Sequence, residues 1–321
     1  MYIHIIYIMI LLFSLIMCTC SSTASGGSEQ PAQKVQTTVG LSFNTDSAMM
    51  YIKTQTDFGP RVPDSEAHKK CGDWLVAKLV ENGAVVSHDI NIIRHPVSNV
   101  PLKVRNIFAQ FNPEASNRVL ILAHYDTRPW ADEDSNPSNH NIPIDGANDG
   151  ASGVAVALEI ARHANNLKKD KGLDILFVDQ EDSGNSGNDA SWCIGSSFWA
   201  QNMPYSKLNK PAYAILLDMV GGKDAIFMRE YFSELYAPEI NDLVWSAAAK
   251  AGYESRFSQN IGGAINDDHI PLIKAGLPTI DIIETRAEGF NPTWHTLNDT
   301  YENIDPQTIM AVGEVLTNII Y

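Results

Sequence analysis

The chain is short of cysteine, of positive charge and of long apolar runs, and each shortage narrows what it can be. Four cysteines occur in 321 residues, and only Cys71 and Cys193 fall in the body of the chain. Two cysteines make no disulfide framework, so an apolar core must hold the fold; a single bridge and two buried thiols both remain open. Lys and Arg number 23 against 38 Asp and Glu, a formal net charge of -15. That balance argues against nucleic acid as a partner, since phosphate binding needs clustered cations. Cationic or amine-bearing substrates fit it better. The longest apolar run, Tyr2 to Met17, is shorter than the ~20 residues a membrane-spanning helix prefers, and no Lys or Arg precedes it.

That run is instead expected to be an export signal over 1–20. Cys18 and Cys20 follow it, a pattern similar to a bacterial lipoprotein signal, which implies a periplasmic or envelope location and a possible lipid anchor at either cysteine. Residues 21–40, rich in Ser, Gly, Gln and Thr, read as a flexible linker. The folded part is expected over 41–321, with no repeat or low-complexity break, and 44% hydrophobic content suffices for a large core.

Apolar periodicity and turn residues predict helices over 46–57, 65–82, 150–167, 196–202, 238–252 and 306–320. Strands are predicted over 85–93, 104–111, 119–123, 173–180, 213–218 and 277–283, with 225–229 pairing nearby. Strands alternating with helices imply an α/β fold: a single domain with a central mixed, mainly parallel β-sheet and helices on both faces.

Several apolar strands run directly into residues that bind metals or carry protons. Leu173 to Val178 leads into Glu181 and Asp182, Val119 to Ala123 into His124, and Tyr213 to Leu217 into Asp218. Asp149 lies in the loop Gly146-Ala147-Asn148-Asp149-Gly150, and His295 in Pro292-Thr293-Trp294-His295-Thr296. Neighbouring carboxylates on extended chain point in different directions, so Glu181 and Asp182 can serve one site in two roles. Each residue also has an ordinary reading. His124 could be a satisfied core histidine, Asp149 the cap of the next helix, Asp218 a partner of the Gly221-Gly222 turn, and His295 a stacked loop residue. Together they favour a site, because the C-terminal ends of parallel strands lie side by side.

Asn148-Asp149-Gly150-Ala151-Ser152-Gly153, Glu181-Asp182, Leu217-Asp218 and Trp294-His295-Thr296 together resemble the zinc aminopeptidase-like superfamily over about 41–321. Within it, His124-Tyr125-Asp126, Leu216-Leu217-Asp218-Met219-Val220-Gly221, Asp267-Asp268-His269-Ile270-Pro271 and Trp294-His295-Thr296-Leu297-Asn298-Asp299 look most like the glutaminyl-peptide cyclotransferases. Position 182 is Asp where many relatives, including the animal cyclases, carry Glu. The resemblance implies one zinc per chain held by Asp149, Asp182 and His295, with a position open for substrate. The superfamily's peptidases build a second zinc site from His124, Asp149 and Asp218.

The implied reaction converts N-terminal glutamine of peptides and proteins to pyroglutamate, with Glu181 as proton shuttle. Asp218 and Asp267 are then a hydrogen-bonded acid pair that orients Glu181 and the substrate amine; helix capping is the plain alternative for Asp267. Trp192, Phe290 and Trp294 are the aromatic candidates for the substrate pocket. Two rivals stand beside this reading: a zinc aminopeptidase that removes N-terminal residues, and a non-catalytic receptor for peptide N-termini.

Overall fold

In this computed structural model the described residues are 41–206, 209–286 and 289–321. The signal expected over 1–20, the linker over 21–40 and the anchor at Cys18 or Cys20 lie outside them. The elements run α1 (Thr45–Asp57), α2 (Glu66–Glu81), β1 (Val85–Ser87), β2 (Asn91–Arg94), β3 (Pro101–Val104), β4 (Ile107–Phe111), β5 (Asn117–His124), α3 (Ala151–Arg162), β6 (Lys171–Val178), α4 (Ile194–Gln201) and β7 (Tyr213–Asp218). Then come β8 (Phe227–Arg229), α5 (Tyr231–Tyr236), α6 (Pro238–Lys250), β9 (Phe257–Ile261), α7 (His269–Lys274), β10 (Thr279–Ile283) and α8 (Pro306–Ile320).

Six strands form the main sheet in the order β1-β4-β6-β5-β7-β10. The β6, β5, β7 and β10 strands are mutually parallel, while β4 and β1 join antiparallel at one edge. The alternation of side chains along each strand splits the apolar residues between two layers. Val119, Ile121 and Ala123 of β5 face one way with Ile175 and Phe177, into a core shared with α1, α2, α3, α6 and α8. Leu120 and Leu122 face the other, with Leu176 and Val178, against Trp199 of α4 and Leu272 of α7. Burial on both faces is why these strands read as continuous apolar runs.

The expected strand over 85–93 is two strands, β1 and β2, whereas that over 104–111 is β4, beginning at Ile107; β3 lies ahead of it and shares only Val104 with the predicted segment. Only β1 and β4 enter the main sheet; β2 and β3 pair with each other as a separate hairpin. Residues 225–229 contribute β8, which pairs with the unanticipated β9 rather than with the main sheet. Cys71 and Cys193 are both free and buried, which decides between the two options left open for them. Among the described residues no helix is long and apolar enough to cross a membrane.

Candidate active site and metal centre

The C-terminal ends of the parallel strands deliver the chemistry. His124 is the last residue of β5 and Asp218 the last of β7, while Glu181 and Asp182 follow β6 in a tight turn. Asp149 precedes α3, and Gly150 at the cap position and Gly153 in the first turn permit close approach. A Cβ on Gly150 would meet the His124 ring at 2.5 Å, and one on Gly153 would meet the Leu217 carbonyl at 2.0 Å. The helix therefore packs directly onto the ends of β5 and β7. Asp149 does not cap α3, whose cap position is Gly150 with no side-chain bond.

The turn after β6 is held by side chains from the loop after β5. Asp126 accepts the backbone N–H groups of Glu181 and Asp182, both at 3.2 Å. The Arg128 guanidinium donates to the carbonyls of Asp182 at 3.0 Å and Gly184 at 2.8 Å. Asp299 does the same for the Asp149 loop, accepting from the N–H of Asn148 at 2.7 Å and of Asp149 at 3.1 Å. Bonds to charged groups contribute about 1.5–3 kcal/mol each, enough to fix two otherwise irregular loops.

Asp149, Asp182 and His295 converge with ligand atoms within 4.8 Å of one another, all buried. His295 Nε2 lies 3.2 Å from Asp182 Oδ1 and 3.6 Å from Asp149 Oδ2. Its Nδ1 is 3.4 Å from Asp132 Oδ1, the outer contact that sets ring orientation at a metal. Both Asp182 oxygens are buried and accept no hydrogen bond among the described residues, as a carboxylate held ready for a cation would. The donor set, two carboxylates and one imidazole, suits zinc with an open position. A second group, His124, Asp149 and Asp218, also lies within 4.8 Å. There His124 Nε2 is 2.9 Å from Asp149 Oδ1 and 3.4 Å from Asp218 Oδ1.

Beside this group lies a second set of acids. Burial pushes Glu181 well above the ordinary glutamate range, with Asp267, Asp182 and Asp268 adding to it and His124 opposing. Burial and the charge of Asp218 raise Asp267 to about 7. Asp218 thus acts on Asp267 through charge. Behind Asp267 lies Asp281 of β10, which sequence reasoning did not single out; with His269 their side-chain polar atoms lie within 4.8 Å of one another. The helix near here begins at His269 with Asp268 at the cap position and no side-chain cap bond, while the Asp267 carboxylate accepts the N–H of Asp268 just ahead of it at 2.5 Å.

A cavity of about 560 Å³ opens over both sets, lined by Asp149, Glu181, Asp182, Asp218, Asp267 and His295 together with the aromatic rings of Trp192, Phe290 and Trp294. Trp294 stacks on His295 at 3.8 Å between ring centroids, Phe290 sits 4.6 Å from Trp294, and Trp192 lies nearly parallel to His295 at 6.1 Å. All the residues expected from the sequence are gathered in one place. Asp126, Arg128, Asp132 and Asp299 were missed as supports. The only signal was their position in the loops that carry the ligand-type residues.

The model of peptidase family M28 matches residues 106–320, which contain every one of these groups. The chain belongs to peptidase family M28. Within the family its solved neighbours carry two kinds of name. The glutaminyl cyclase of Bacteroides thetaiotaomicron, solved with N-acetylhistamine, is 44% identical over 88% of this chain and 99% of that one, with a TM-score of 0.84. A structure titled as a leucine aminopeptidase precursor from Bacteroides thetaiotaomicron VPI-5482 is also 44% identical, over 88% and 98%, with a TM-score of 0.83. The glutaminyl-peptide cyclotransferase of Gloydius blomhoffii is 27% identical over 66% of this chain and 63% of its own length. The chain spans 40% to 64% of the first curated relatives it matches.

Proposed function

We propose that this M28 protein is a zinc-dependent glutaminyl cyclase, converting N-terminal glutamine of peptides and proteins to pyroglutamate with release of ammonia. The convergence of Asp149, Asp182 and His295, with Glu181 beside them and outside that set of ligands, carries the reading. It is supported by the 44% identity to a bacterial glutaminyl cyclase across nearly that enzyme's whole length. One zinc per chain is held by Asp149, Asp182 and His295, and when bound it supplies Lewis-acid polarisation of the substrate's γ-carbonyl.

The chain's own residues do the rest. Trp294, Phe290 and Trp192 enclose the small, flat, uncharged ring that forms, and exclude water from it. The substrate's α-amine attacks its γ-carbonyl carbon; a C–N bond closes and the bond to the γ-amide nitrogen breaks. Glu181 takes the proton released by the attacking amine and returns it to the departing nitrogen, which leaves as ammonia. The raised proton affinity of Glu181 suits a group that must both accept and donate. Asp218 and Asp267 shape the field around it, with Asp281 behind Asp267. Export, with a lipid anchor at Cys18 or Cys20, belongs to the same proposal and rests on the apolar run before those cysteines.

The test is incubation of the purified protein with a Gln-initiated peptide, with and without a chelator. Cyclisation removes about 17 Da, the mass of ammonia, and the chelator abolishes it. Loss of the whole first residue would hand the case to a peptidase, in which His124, Asp149 and Asp218 hold a second ion. Glu181→Gln should lower ammonia release by roughly 10²–10⁴-fold while zinc content stays unchanged. A variant as active as the parent removes Glu181 from the reaction.

A further inference from the structure

A carboxyl that collects a proton and hands it on must keep its orientation through both transfers, since small misplacements are costly to rate. The backbone of Glu181 is well held: its N–H donates to Asp126 and its carbonyl accepts the N–H of Cys193 at 3.2 Å. Its carboxylate is far less constrained. Among the described residues a single side chain donates a hydrogen bond to it, the thiol of Cys193, with Sγ 3.4 Å from Oε1. One residue therefore grips the glutamate at two points, through its amide and through its sulfur.

We propose that Cys193 is a positioning residue, whose S–H holds the Glu181 carboxylate in the orientation that the proton transfers require. The proposal rests on the cyclase reading of the site. Three features support it. Cys193 is only 3% exposed, so water does not compete for the bond. It occupies the left-handed region, φ 53°, immediately before α4, and the N–H of Ile194 next to it bonds to the Gln180 carbonyl at 3.1 Å, so the backbone aims the sulfur. Burial and the nearby acids, Glu181 first, push the thiol well above its ordinary range, which keeps it protonated and makes it a donor, not a nucleophile. Cys71 supplies an internal contrast: it is equally buried but belongs to the apolar core beneath α2.

The experiment compares Cys193→Ser, which keeps a donor of similar size, with Cys193→Ala, which removes it. Cys193→Gly suits a positive φ and replaces the alanine variant if that one does not fold. β-Branched residues are unsuited to this backbone. Steady-state kinetics on a Gln-initiated peptide should show kcat lowered roughly tenfold in Cys193→Ala, with KM within about twofold. Cys193→Ser should recover most of the loss, and Cys71→Ala should keep the parental kcat. Zinc content and melting temperature are read on every variant. An unchanged kcat in Cys193→Ala, or an equal loss in the serine variant, overturns the proposal, as does a change confined to KM. An inactive parent would instead overturn the cyclase reading, and this proposal with it.

Discussion

On one wall of the pocket, Asp149, Asp182 and His295 stand among countercharges: His124, the Arg128 guanidinium, and Asp132 behind the imidazole. On the other, Glu181, Asp218, Asp267, Asp268 and Asp281 stand mainly among one another. Burial resists the charge of Asp149, yet His124 and His295 hold it below the ordinary carboxylate range. Burial likewise resists the His295 cation, and Asp182 and Asp132 still raise that imidazole to about 9. The opposite wall has too few cations for this, and its acids are all pushed upward; on the first wall Asp182, buried beside Asp149, is also raised, to about 6, against the pull of His295 and Arg128. Burial pushes every one of these acids upward, and the neighbouring charges decide the outcome: Asp149 ends below the ordinary range, Asp182 at about 6, and Glu181, Asp268 and Asp281 well above their ordinary values.

The largest test of that contrast is Asp182→Ala. Removing a ligand should release the zinc and lower ammonia production by roughly a thousandfold or more, as metal analysis beside a coupled ammonia assay will show. Retention of one zinc per chain would erase the distinction between the walls. Asp132→Ala is subtler, since it removes the contact that orients His295 together with the two hydrogen bonds that Asp132 accepts from Arg128, at 2.9 and 2.6 Å. Zinc affinity, read by competition with a chromogenic chelator, should weaken about 10–100-fold; an unchanged affinity would leave Asp132 without its role.

The smallest effect lies on the acid wall. Asp267 is raised to about 7 from an ordinary 3.8, so the folded protein holds a proton that the unfolded chain gives up. Its contribution to stability is complete below pH 3.8 and is lost as pH climbs to about 7. Melting temperatures of the metal-free protein should therefore fall between pH 4 and 8, and fall by a few °C less in Asp267→Asn. Equal slopes would mean that the wall does not store protons.

Much of the frame was legible in the sequence. The 213–218 strand and the 306–320 helix occur with the predicted ends, because an unbroken apolar strand and a proline-started amphipathic helix leave few alternatives. The 85–93 segment was legible as extended chain but not as two strands, and β3 was not foreseen. β-Branched residues signal a pleated surface without naming the partner, and here the partner changes within the segment, from β4 to β3. In the site, ligand-type residues at strand ends stood out. Asp126 and Asp299 did not, because a carboxylate that caps backbone N–H groups has no sequence period to betray it. The closeness of Asp267 to Asp281 was equally hidden, bringing a loop beside the middle of β10.

Local chain chemistry alone determined that this protein alternates buried strands with helices and sets acids and histidines where those strands stop, since periodicity and strand ends are properties of near neighbours. Tertiary structure decided the proton affinity of each of those acids. Proton affinity depends on charges and burial within a few ångströms in space, and here those charges come from residues far apart in the chain.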